Sequence, residues 1–231
     1  PAMSTCAPGN PPSIPFRGRY EHTRAERIAD GVVHAIGITA ALSLGAVLLT
    51  FAAFQASPGE YAAAILFVIC LLTVLSVSLA YNLWPISPTK WVLRRIDHAG
   101  IYLLIAATYM PFLAQLDDSS LALQMGILIW GAAAMGIVVK LFLPGRFDRL
   151  SIAFYMAIGW SGVLVAKSVV NALPASTLWL LLGGGLAYSA GVIFFLWDRL
   201  RFQSATWHGF VVLGGGMHLA AVMDCLVVAR A

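Results

Sequence analysis

Seven polar side chains could carry this chain's chemistry: His34, Ser78, Asn82, Asp97, His98, Ser204 and His208. Ser78 and Asn82 stand four residues apart, as do Ser204 and His208. On a helix that spacing puts each pair on one face, from which both members address a common point between helices. Neutral imidazoles and a carboxylate are metal ligands, and His34, His98, His208 and Asp97 supply such a set. The same residues suit hydrolysis, with His or Asp as base and Ser as nucleophile or oxyanion partner. A proton relay is a third use. A structural reading stands beside these, since Asp97 follows Arg94 and Arg95 and could form an interfacial ion pair, with His98 hydrated at headgroup level.

The elements that must position these groups are membrane helices. Of the 231 residues 60% are hydrophobic, about 139, and only 10% are charged. A soluble domain carries roughly a quarter of charged residues, so a soluble fold, a disordered chain and a nucleic-acid module are all excluded. A single span takes about 20 apolar residues and seven take about 140, the number at hand. Three cysteines, Cys6, Cys70 and Cys225, give no disulfide framework. Residues 1–20 have no apolar signal region, and Pro1 and Ala2 ahead of Met3 look like a cloning remnant.

Seven apolar runs lie near 30–54, 61–84, 98–116, 121–143, 151–173, 176–197 and 207–229. Pro and Gly punctuate the breaks at Ser57-Pro58-Gly59, Pro85 to Pro88, Pro144-Gly145 and Pro174, and Asp117 to Ser120 mark another. The expected architecture is all-α and integral to the membrane, with a flexible tail over 1–27 and a seven-helix domain over 28–231. Basic residues decide orientation, because Lys and Arg collect on the cytoplasmic side. Arg17, Arg19, Arg24 and Arg27 lie in the tail, Lys90, Arg94 and Arg95 in the second loop, Arg146 and Arg149 in the fourth, Arg199 and Arg201 in the sixth. The first, third and fifth loops hold none, and Arg230 alone follows the last span. The N-terminus is therefore expected in the cytoplasm and the C-terminus outside. Trp84, Trp91, Trp197 and Trp207 mark the inner boundary, and Trp179 with Tyr61 the outer one. Trp130 and Trp160 fall mid-span, where they serve packing.

An ionisable group inside a span costs about 2.5–3.5 kcal/mol on insertion scales, so its depth is informative. His34 near the start of span 1, Ser78 and Asn82 at the end of span 2, Asp97-His98 at the start of span 3, and Ser204 and His208 at the start of span 7 converge on the inner leaflet. Lys167 and Asp224 lie deep in spans 5 and 7 at similar height, where a buried charge pair would relieve the cost of both. His218 sits near mid-membrane, where a hydrogen bond between helices explains it. Gly183 to Gly185 and Gly214 to Gly216 read as close helix contacts, and Pro111 as a kink in span 3.

The run Arg95-Ile96-Asp97-His98-Ala99-Gly100-Ile101-Tyr102-Leu103-Leu104-Ile105-Ala106, continued by Thr108-Tyr109-Met110-Pro111-Phe112, resembles the third-span signature of the hemolysin III family, the bacterial branch of the progestin and adiponectin receptor superfamily. Glu26 ahead of His34, Gly191 to Trp197, and Trp207-His208 followed by Phe210-Val211 resemble it too, so the likeness spans about 24–228. The resemblance implies seven helices with a cytoplasmic N-terminus. It also implies a zinc ion near the cytoplasmic leaflet, held by one histidine that ends a Ser-x-x-x-His motif in span 2 and two from His-x-x-x-His in span 7, with a span-3 aspartate nearby. Ser78, Asp97 and His208 match that pattern; Asn82 and Ser204 stand where the other two histidines belong. Asn and Ser are poor neutral substitutes, and His208 with Asp97 would hold zinc weakly unless His34 or His98 is recruited.

Three functions follow. The first is a hemolysin III-like protein of the bacterial cytoplasmic membrane that acts on membrane state, through homeostasis or cytolysis, with a degenerate zinc site and the lipid bilayer and a lipid ligand as partners. The second is a metal-dependent hydrolase of lipid amides or esters, akin to the ceramide hydrolysis associated with related receptors, in which Ser78, Asp97 and His208 do the chemistry and His34, His98, Asn82 and Ser204 line the site. The third is a pore or an ion or proton pathway that uses Lys167, Asp224, His218 and the inner polar cluster as a relay.

Overall fold

The computed structural model describes residues 22–143, 145 and 147–230. The tail up to residue 21, including Pro1, Ala2, Cys6, Arg17 and Arg19, lies outside the described residues, as do Pro144 and Arg146. The regular elements are α1 (Arg24–Gln55), α2 (Pro58–Leu83), α3 (Pro88–Leu113), α4 (Ser119–Phe142), α5 (Asp148–Gly159), α6 (Ala166–Ala172), α7 (Ala175–Phe195) and α8 (Gln203–Leu226), with 3-10 turns at Ser161–Val165 and Val228–Arg230. Seven helical segments are long and apolar enough to cross a membrane, the fifth being the composite Leu150–Ala172. The outward faces carry exposed Phe54, Phe142, Leu164 and Trp179, an apolar perimeter suited to lipid. The chain is an all-helical, multi-pass membrane protein, as its composition predicts.

Local chemistry sets where helices start. Thr23 and Glu26 form a capping box at α1, and Ser57 with Glu60 another at α2. Ser87 caps α3 with Pro88 in its first turn, and Asp118 caps α4. These caps lie outside the apolar runs, so the helices outreach them. Helix α1 starts at Arg24, inside the stretch expected as tail, and α3 starts ten residues before the apolar run at 98. Lys90, Arg94, Arg95 and Asp97 are therefore helical, and Ser204 falls in the first turn of α8. Pro111 lies inside α3, which runs on to Leu113.

The fifth span departs from a continuous helix. It breaks at Trp160 and passes through the 3-10 turn before α6. The Tyr109 hydroxyl from α3 fills the gap, accepting from the Gly162 N–H at 3.0 Å and facing the carbonyls of Ile158 and Gly159 at 3.0 and 2.8 Å. Ser161 Oγ donates to Ile158 O at 2.7 Å. Backbone groups freed inside a bilayer must find partners in protein, and here they do. Trp160 donates to Ser189 Oγ at 3.1 Å and Trp130 to Met110 Sδ at 3.2 Å, so both mid-span indoles serve packing as expected.

Helix α8 packs on α7, α1, α2 and α3. Its Val222, Leu219 and Leu226 join Leu48, Phe67 and Leu71 in one buried cluster, while Tyr102, Ile129 and Ala133 join α3 to α4 in a second. The glycine clusters act in helix contact: a Cβ on Gly184 would meet the His218 ring and stand 3.2 Å from Gly214 O. A larger side chain there would have to displace the His218 ring and crowd the Gly214 carbonyl.

Candidate functional site

Alternation of the spans brings the start of α1, the end of α2, the start of α3 and the start of α8 to one end of the bundle, the end rich in Lys and Arg. Each element is fastened there. Lys90 is buried and its Nζ donates to Tyr81 O at 2.7 Å and Trp84 O at 2.9 Å, satisfying carbonyls at the C-terminus of α2. Phe202 opens α8 in the left-handed region at φ 59°, a strained conformation for an aromatic residue, and its N–H donates to Glu26 Oε1 at 3.3 Å. The capping box of α1 thus also holds the first turn of α8.

Within this frame Asp30, His34 and His208 are buried together, at 2%, 0% and 8% exposure. His34 Nδ1 lies 2.9 Å from the backbone carbonyl of Asp30 and 3.5 Å from its Oδ2. Both are acceptors only, so Nδ1 carries the hydrogen and Nε2 the lone pair. His208 Nδ1 lies 2.7 Å from Asp30 Oδ1 and donates to it; its Nε2, 3.2 Å from Ser78 Oγ, accepts. The two imidazole rings are 4.4 Å apart between centroids. Ser204 Oγ donates to Asp30 Oδ1 at 3.0 Å, and Asn82 Nδ2 donates to the Ser78 carbonyl at 2.8 Å. Asp97 faces Ser78 and His208 from α3 and adds a second carboxylate.

Among the described residues, two buried acceptors in this cluster, Asp30 Oδ2 and His34 Nε2, have no hydrogen-bond partner, the His34 Nδ1 contact to Oδ2 being 3.5 Å. Candidate ligand atoms of Asp30, His34 and His208 all lie within 4.8 Å of one another. Two imidazoles and one carboxylate form a donor set suited to zinc, and each ring turns its N–H toward a carbonyl or carboxylate, as ligating histidines do. The residues present therefore fit a divalent metal ion, through a trio that differs from the expected pairing of His208 with Asp97.

Sequence reasoning thus located His34, Ser78, Asn82, Asp97, Ser204 and His208 in one place and missed Asp30. The signal for Asp30 is its four-residue spacing to His34, the same spacing used for Ser204 and His208. Asn82 and Ser204, which replace histidines of the resembled pattern, hold Ser78 and Asp30 in place instead. His98 faces elsewhere. Its carbonyl accepts from the Tyr155 hydroxyl at 3.2 Å, and the charges it meets are Arg94, Lys140 and Asp148.

Those three charges link α3, α4 and α5. Asp148 accepts from Arg94 Nη2 at 2.9 Å and from Lys140 Nζ at 2.7 Å. Burial pushes the Asp148 carboxyl up, but the Lys140 hydrogen bond and the charges of Arg94 and Lys140 outweigh it, so it titrates below the usual carboxylate range. At the opposite end of the bundle Asp224 accepts from Ser176 and Thr177 at 2.7 and 2.6 Å, while the Lys167 side chain is exposed. Among the described residues no ion pair joins Lys167 to Asp224. His218 Nε2 lies 3.3 Å from Leu181 O, the interhelical hydrogen bond expected of it.

Comparison with known proteins places these features in a family. The model for "Haemolysin-III related" proteins matches residues 23–219. A hemolysin-3 homolog of Bacillus subtilis is 36% identical over 206 residues, covering 89% of this chain and 94% of that protein. Hemolysin-3 of Bacillus cereus is 31% identical over 198 residues, 86% of this chain and 90% of its own. The human monocyte to macrophage differentiation factor is 31% identical over 220 residues, 92% and 89% of the two chains. No solved structure gives a significant match.

Proposed function

Because the chain belongs to the haemolysin III-related family, we propose that it acts on the state of a bacterial cytoplasmic membrane as a metal-dependent hydrolase of lipid esters or amides. In this reading the basic end faces the cytoplasm, where Lys and Arg accumulate. The observation that carries it is the pair of buried acceptors beside His208, Asp30 Oδ2 and His34 Nε2, that lack a hydrogen-bond partner among the described residues. Asp30, His34 and His208 would hold the ion, and zinc is the metal their chemistry favours. Such an ion supplies Lewis acidity toward an ester or amide carbonyl.

The remaining residues do the positioning and move the proton. Ser78 Oγ holds His208 Nε2 in register until a ligand claims it. Ser204 fixes the Asp30 carboxylate, and Asn82 fixes the last turn of α2 from which Ser78 projects. Asp97, the carboxylate outside the ligand trio, accepts the proton of the attacking water and returns it to the departing alcohol or amine. Purified protein assayed for bound metal and for fatty acid release from lipid esters and amides tests the proposal. Stoichiometric zinc with release abolished by Asp97→Asn is expected. Absence of both metal uptake and fatty acid release overturns it.

A further inference from the structure

Two shallow depressions lie beside the site, and Arg27 lines both. One, of about 320 Å3, is bounded by Arg24, Arg27, Ile28, Gly31 and Leu83 between α1 and the end of α2. The other, of about 200 Å3, reaches from Arg27 and Lys90 past Trp84 to Asn82. Asn82 Oδ1 lies 3.4 Å from Ser204 Oγ, the hydroxyl that binds Asp30. A short polar path therefore connects this groove to the buried cluster.

The groove has two chemistries. Its upper part is cationic: Arg24 and Arg27 are exposed, while Glu26, the acid of the same turn, is buried and occupied by Thr23 and the Phe202 N–H. Its wall is apolar, with Ile28 and Leu83 exposed on either side of Gly31. A Cβ on Gly31 would lie 3.8 Å from Leu83, so glycine keeps the floor low without being sterically required. A phosphate diester matches the arginines, and an acyl chain matches the wall. A soluble anion would leave the apolar half unused, whereas a lipid whose phosphate sits at the interface satisfies both.

We infer that the α1–α2 groove docks an anionic glycerophospholipid, with its phosphate on Arg24 and Arg27, one chain along Ile28, Gly31 and Leu83, and its ester linkage directed toward Asn82. This names the substrate class of the proposed hydrolytic centre and rests on that reading, but docking is measurable without turnover.

The test is retention of phosphatidylglycerol against phosphatidylcholine by the full-length protein in mixed-lipid nanodiscs, read by mass spectrometry of the bound lipid. Preferential retention of phosphatidylglycerol is expected, falling about tenfold or more in the Arg24→Gln, Arg27→Gln double variant. Gly31→Leu, which changes no charge, should lower retention of both lipids about fivefold by filling the groove. Arg199→Gln removes a cation from the same end outside the groove and should leave retention unchanged. His208→Ala, which impairs the metal site, should also retain phosphatidylglycerol, so failure of the hydrolase reading is distinguishable from failure of docking. Equal retention of the two lipids, or equal losses in the Arg24→Gln, Arg27→Gln double variant and in Arg199→Gln, overturns the inference.

Discussion

Asp30 Oδ1 and His208 Nδ1 lie 2.7 Å apart, joining the first membrane helix to the last across 178 positions of chain. Asp30→Asn keeps the shape and leaves an oxygen to accept from His208, but removes the negative charge that a cation needs. Bound zinc, measured by elemental analysis of purified protein, should fall about tenfold or more, with little change in melting temperature. Undiminished zinc would remove Asp30 from the ligand set.

Asn82 and Ser204 already touch the cluster, so histidines at these positions would project into it. The Asn82→His, Ser204→His double variant is expected to bind zinc more tightly than the parent, by about tenfold or more in a chelator competition. A double variant that folds but binds no better would show that the ends of α2 and α8 are not aligned for ligation.

Glu26→Ala removes both the α1 capping box and the acceptor of the Phe202 N–H. Loss of a cap costs about 1 kcal/mol, and release of Phe202 lets the first turn of α8 relax away from φ 59°. Zinc affinity should drop together with thermal stability, whereas a cap alone would affect only stability. Glu26→Gln, which retains an acceptor, should recover most of both.

Tyr109→Phe strips the hydroxyl from the break in the fifth span and leaves the Gly162 N–H without its partner. The expected cost is about 1–3 kcal/mol, read as a lowered melting temperature in detergent. Zinc content should not change, because Tyr109 lies roughly 18 Å further along α3 than Asp97.

The Asp148 carboxyl titrates below the usual carboxylate range, so its contribution to stability is present at neutral pH and is lost as the pH falls through its folded value. Asp148→Asn should lower stability at pH 7 by roughly 3 kcal/mol, the low end for a broken buried pair because Asp148 keeps 31% exposure. The variant and the parent should converge in acid. A constant gap between them down to the lowest pH at which both remain folded would contradict the linkage.

The seven spans were legible because each needs a long apolar run, and composition alone fixes how many such runs the chain can supply. The break at Trp160 was not, since the hydroxyl that satisfies it belongs to Tyr109, some fifty residues earlier, and Gly159-Trp160-Ser161-Gly162 lies in a run that still reads as apolar. Residue depth was enough to gather His34, Ser78, Asn82, Asp97, Ser204 and His208. It could not give direction: His98, next to Asp97, turns toward α4 and α5 because neighbouring side chains on a helix point about 100° apart. Asp30 was not legible because a carboxylate at the polar start of a span reads as solvated, and its partners Ser204 and His208 come from α8 at the far end of the chain. The expected pairing of Lys167 with Asp224 rested on depth alone. Two hydroxyls from the start of α7 occupy the Asp224 carboxylate instead.

The Gly184–Gly214 crossing has a mechanical consequence. Helices whose backbones touch cannot ratchet past each other without first separating, so α7 and α8 travel as one stiff plank. His208 rides on that plank, while Asp30 and His34 ride on α1, which meets it through side chains. The cluster is therefore closed across the α1–α8 seam, so its geometry depends on how α1 seats against the α7–α8 pair.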